Sequence, residues 1–177
     1  IYRLFYYWLT LTFLMVFAMI ILGGLTRLTD SGLSITQWEL FSGILPPLNI
    51  DTWNKYFSLY KEIPQYKLIN NDMSLDQFKV IFYWEYFHRI LGRLIGLFFL
   101  IPLIFFYLNK KIEKKILSTC FLVMFLIVLQ GIVGWYMVQS GLVNVITVSH
   151  YRLSLHLIIA FFIISIIFWM LINIRNN

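Results

Sequence analysis

The sequence predicts an all-α integral membrane protein, a four-transmembrane-helix bundle with a long, partly helical outer loop. Three observations predict it. Of the 177 residues, 60% are hydrophobic and only 12% are charged, far from the usage of water-soluble domains. Four apolar stretches, about 4–22, 88–108, 116–138 and 153–172, each approach or exceed the ~20 residues that cross a hydrocarbon core of ~30 Å. The basic residues, finally, are unevenly shared among the connections.

The first stretch reads as a span. Its apolar run is too long for a signal peptide, and Gly23-Gly24-Leu25-Thr26-Arg27 lacks a small-x-small cleavage pattern. Lys110, Lys111, Lys114 and Lys115 crowd the connection between the second and third spans, and Arg3 and Arg175 flank the ends. Short cytoplasmic loops carry this excess, so both termini and that connection are expected inside. Connection 27–79 then lies outside, with five basic and six acidic residues. The net charge of +6 thus follows from topology; the partner it implies is membrane lipid, with no nucleic acid. Cys120 is the lone cysteine, in mid-span, and reads as a small packing residue.

In the outer connection, Trp53, Tyr56, Phe57 and Tyr60 recur at i, i+3, i+4 and i+7 after Asp51. This predicts an amphipathic helix with Asp51 as N-cap, lidding the bundle or anchoring at the interface. Pro46-Pro47 and Pro64 punctuate the segment, and Ser74-Leu75-Asp76-Gln77 forms a capping box. One helix is expected to run from there through Phe78, Phe82 and Glu85 into the second span.

His88 and His156 each lie near the start of an apolar span, and ionisable residues there are functional candidates. Both spans run from outside to inside, which sets the two imidazoles at similar depth. Arg89 and Arg93 accompany His88, Arg152 precedes His156 by four, and Gly92 and Ala160 follow the histidines by four. This pattern suits a haem with His88 and His156 as axial iron ligands, arginines for its propionates, and Gly92 clearing room for the ring. Competing readings are interhelical hydrogen bonding by the histidines and close helix packing at Gly92 and Gly96. Glu85 neighbours both His88 and Arg89 on the helix; it is either the reactive carboxylate or a partner for Arg89. His150 falls at the water boundary, on another face.

Further segments carry a resemblance. Gly23-Gly24-Leu25-Thr26-Arg27-Leu28-Thr29-Asp30-Ser31-Gly32-Leu33-Ser34, Leu45-Pro46-Pro47, Pro64-Gln65-Tyr66-Lys67 and Met73-Ser74-Leu75 come first. Trp84-Glu85-Tyr86-Phe87-His88-Arg89 with Gly92-Arg93, Gln130-Gly131-Ile132-Val133-Gly134-Trp135, Ser140-Gly141-Leu142 and Val148-Ser149-His150-Tyr151-Arg152-Leu153 with His156 follow. In this order they resemble the amino-terminal half of the haem A synthase family, in the branch without an outer-loop cysteine pair.

The resemblance implies oxidation of the C8 methyl group of haem O to a formyl group by successive hydroxylation, supplying haem A to terminal oxidases. It implies an eight-helix, pseudo-symmetric fold of which residues 1–177 form one four-helix bundle. Substrate haem is then held by His88 and His156, with Glu85 catalytic, and a haem b belongs to the carboxy-terminal half. Implied partners are haem O, that second half, haem O synthase and oxidase assembly factors. A chain that begins at Ile1 and ends after one bundle is expected to be a fragment. The expected location is a bacterial inner membrane with the haem site toward the periplasm, or else the mitochondrial inner membrane. A bis-histidine electron-transfer cytochrome and a haem-free packing protein are the alternative classes.

Overall fold

The computed structural model describes residues 1–37, 42–144 and 147–176. Among them the secondary structure is helical: α1 (Tyr2–Leu28), α2 (Ile50–Lys61), α3 (Pro64–Leu68), α4 (Leu75–Asn109), α5 (Lys114–Asn144) and α6 (His150–Asn176), with a short 3-10 turn at Ser42–Ile44. α1, α4, α5 and α6 are each long and apolar enough to cross a membrane, as expected of a multi-pass membrane protein. At ~1.5 Å per residue, the 35 residues of α4 extend over roughly 50 Å, well beyond the ~30 Å of a hydrocarbon core. The helix that enters the second span therefore also builds structure outside it.

The chain divides into two compact units. The first comprises Ile1–Ile21, Leu91–Val133 and Ser154–Asn177. Its core is apolar, with Phe5, Leu9, Phe99, Leu103, Phe106, Cys120, Val123 and Ile167 almost fully buried. Cys120 is a free thiol within this packing. Pro102 sits inside α4, and proline has no N–H to offer the carbonyl four residues back, which is that of Phe98. The indole Nε1 of Trp8 donates to that carbonyl at 3.0 Å. A membrane helix tolerates proline when a neighbour supplies the missing bond in this way.

Trp8→Phe is accordingly expected to destabilise the protein by about 0.6–2 kcal/mol, measured by thermal unfolding in detergent. Adding Pro102→Ala, which restores an N–H, should recover the loss.

The second unit comprises Leu22–Ile90 and Gly134–Leu153. Its α2 is amphipathic as expected, and Trp53, Phe57 and Tyr60 are buried. The cap differs from expectation. Asn49, not Asp51, is the N-cap, its Oδ1 accepting the Thr52 N–H at 2.8 Å. Asp51 falls instead in the first turn, where a carboxylate still favours the positive helix end.

Phe57 stacks on Phe78 at 5.0 Å, and Trp53 meets Phe82 edge-on at 5.0 Å. The aromatic stripe of α2 thus packs on the first turns of α4. Those turns begin at the expected capping box: the Ser74 N–H donates to Gln77 Oε1 at 2.9 Å, and the Gln77 N–H donates to Ser74 Oγ at 3.3 Å. Tyr60, fully buried, donates to Gln65 Oε1 at 3.1 Å and accepts from Asn70 at 2.8 Å. Gln65 then donates to the Asp30 carbonyl at 3.0 Å, tying the turn after α1 to α2 and α3. Burial pushes the Tyr60 phenol above its ordinary range, so this network is intact through neutral pH and loosens only in strong base.

Candidate functional site

In the second unit, Glu85 and Arg89 pair one turn apart on α4. Arg89 donates from Nε to Glu85 Oε1 at 3.0 Å and again from Nη2. Its Nη2 also donates to the Ile35 carbonyl at 2.9 Å. The second carboxylate oxygen, Oε2, accepts the Ile35 N–H at 2.8 Å and the Ser34 hydroxyl at 2.7 Å. The pair thereby holds both backbone polar groups of one loop residue. A buried irregular segment needs such partners, because no ladder or helix satisfies its peptide groups. Glu85 is 3% exposed and the Arg89 side chain 11%, so this is a buried ion pair with its lone pairs well used.

The Ser34 hydroxyl has a second acceptor, the Ile81 carbonyl at 3.2 Å. Ser34 and Ile35 were not legible as partners of Glu85, since they lie 51 and 50 residues away in sequence.

His88 is half-buried on α4 in the same unit. Gly23 of α1 lies against it: a Cβ at position 23 would stand 3.3 Å from His88 Nε2 and 3.7 Å from Cδ2. Arg152 also belongs to this unit, and its guanidinium lies 4.9 Å from the centre of the Tyr136 ring, a cation–π geometry. His150 is exposed as the first residue of α6.

His156, Gly92 and Arg93 fall in the first unit. His156 is half-buried, and its Nδ1 is fully buried with no hydrogen-bond partner among the described residues. Such an orphan in a native interior calls for a missing partner or ligand. Gly92 faces a neighbouring helix, since a Cβ there would meet Met19 Cε at 3.3 Å. This is the helix-packing reading of that glycine. Arg93 is half-buried.

The residues fit a haem. Two half-buried imidazoles are present, and one of them, His156, carries an orphaned nitrogen.

Four membrane-length helices, two of them carrying a half-buried histidine, define a polytopic helical membrane protein. The chain belongs to the family described as cytochrome oxidase assembly protein (COX15-CtaA), whose model matches residues 6–177. It is 58% identical over 169 residues to "Heme A synthase" of Pelagibacter ubique, covering 96% of this chain and 50% of that protein. It is 45% identical over 171 residues to "Heme A synthase" of Parvibaculum lavamentivorans, covering 97% of this chain and 50% of the relative. To the protein of that name from Nitrosospira multiformis it is 49% identical over 172 residues, 96% of this chain and 48% of the relative. The chain spans about half the length of the curated relatives it matches. No solved structure matches it.

Proposed function

We propose that the full-length protein is a haem A synthase, an oxidoreductase that converts haem O to haem A, and that this chain is its amino-terminal, substrate-binding half. The observation that carries the reading is the 58% identity over 96% of the chain to a protein bearing that name, together with the His156 orphan. Bound haem O brings the C8 methyl group to be oxidised and a redox-active iron.

His88 and His156 are the residues that would hold that iron. Arg93 and Arg152 answer the propionates with positive charge. Arg89 serves the substrate indirectly, because its guanidinium already holds Glu85 and Ile35. Glu85 is the polar group beside the substrate. It first fixes the loop around Ser34 and Ile35, and it becomes a proton acceptor when the Ser34 hydroxyl turns to the Ile81 carbonyl.

The membrane is the bacterial inner membrane, with both termini cytoplasmic and the haem site periplasmic. A haem b and the remaining four spans belong to the other half. Haem O synthase and oxidase assembly factors are the protein partners.

Deleting the full-length gene and extracting cellular haem tests the activity. Haem O should accumulate and haem A disappear. Unchanged haem A refutes the proposal and leaves the bis-histidine electron-transfer cytochrome as the reading of the same histidines.

A further inference from the structure

The first unit takes α5 up to Val133 and α6 from Ser154 onward. Gln130 and His156 therefore lie within one turn of the same end of that unit, where the chain leaves it and returns. Each continues the core-facing stripe of its helix. On α5, Cys120 and Val123 are fully buried and Ile127 packs on the same apolar cluster; Gln130 follows Val123 by seven, two turns along that face. On α6, Ile159, Ile163 and Ile167 belong to the cluster, and His156 precedes Ile163 by seven.

Both polar side chains end in an atom that this apolar core leaves without a bond. Gln130 Oε1 and His156 Nδ1 are fully buried with no hydrogen-bond partner among the described residues. Buried polar atoms in that condition are unfavourable. The two are chemically complementary. An amide oxygen accepts, whereas a neutral imidazole with its proton on Nδ1 donates there and keeps a lone pair on Nε2. His156 is only half-buried, so the surface it exposes lies away from Nδ1, and Nε2 is the nitrogen left for a ligand. A metal-bound histidine as a rule donates its other ring N–H to an acceptor that fixes tautomer and ring orientation.

We infer that Gln130 is a positioning residue for His156: its Oε1 accepts the Nδ1–H of the imidazole when Nε2 takes the haem iron, fixing the tautomer and bearing of that ligand. The inference rests on the reading of His156 as a haem ligand. The glutamine side chain turns about three torsions, which lets its amide meet the ring as the ligand geometry forms.

Gln130→Leu, Gln130→Glu and His156→Leu are compared in the full-length protein. The readouts are the thermal midpoint of haem-depleted protein, haem retention, and the reduction potential of the haem that His156→Leu removes. Gln130→Leu should weaken retention about 10–100-fold and raise the potential of the haem that remains, because the imidazole becomes a poorer donor. It should also raise the haem-depleted midpoint, since one orphan has gone. Gln130→Glu, a stronger acceptor, should keep the haem and lower its potential.

Unchanged retention and potential in Gln130→Leu, with haem lost from His156→Leu, overturns the assignment alone. A lowered midpoint with unchanged potential marks Gln130 as a packing residue and overturns it as well. If His156→Leu keeps its full haem complement, the ligand reading of His156 fails and the assignment falls with it.

Discussion

Alanine at either His88 or His156 is expected to abolish binding of the substrate haem in the full-length protein and, with it, formation of haem A. If the other half holds a haem of its own, as proposed, the absorption spectrum should lose one component and keep the other. The two substitutions should nevertheless part company in stability. His156 buries an Nδ1 with no partner among the described residues, and an unsatisfied buried polar atom costs about 1–3 kcal/mol. Replacing it with an apolar residue of similar size removes that cost. His156→Leu is thus expected to make the haem-free protein more stable than the parent while leaving it unable to bind haem.

This is the signature of a residue retained for function at the expense of stability. Thermal unfolding of haem-depleted protein, followed by haem titration, reads both effects. If His156→Leu lowers stability in the haem-free protein, the imidazole is a packing element and not a waiting ligand.

Glu85 offers the second large effect. Glu85→Ala would leave the Arg89 guanidinium, 11% exposed, without its counter-charge and would release the Ile35 N–H. Breaking a buried pair from one side costs about 3–5 kcal/mol. Glu85→Gln preserves volume but sets an amide donor among groups that all donate, costing about 1–3 kcal/mol. Ser34→Ala removes one neutral bond and about 1 kcal/mol.

These magnitudes separate two roles for the carboxylate. If Glu85 only fastens the loop, haem A formation should fall in step with haem retention across Ser34→Ala, Glu85→Gln and Glu85→Ala. If it also accepts a proton, Glu85→Gln should keep haem yet yield no formyl product, while Ser34→Ala retains activity. Haem extraction and chromatography from membranes of each variant decides between them.

The parts of the fold legible in the sequence were those with a short-range signature. Apolar runs marked the four long helices, the Ser74–Gln77 box marked the start of α4, and the spacing of Glu85 and Arg89 announced their pairing. The aromatic stripe of α2 was equally visible, though Asn49 took the cap from Asp51 by virtue of its extended backbone and its position ahead of Thr52.

The rest depended on contacts between distant segments. Nothing near Ser34 signals a carboxylate 51 residues on. Pro102 drew no reading from the sequence, and nothing near it signals that Trp8, 90 residues from the bonded Phe98 carbonyl, would supply the donor it lacks. Gly92 and Gly23 are alike in composition, and only the packing shows that one meets a methionine and the other a histidine.

Within a bilayer, a helix can rotate about its axis at modest cost, because lipid surrounds it almost equally at every azimuth. The grip of Glu85 and Arg89 on both polar groups of Ile35 removes that freedom from α4. A turn of one residue, about 100°, would break every one of these bonds together. The clasp therefore acts as a register pin, and the imidazole of His88 inherits its compass bearing from the residues on either side of it.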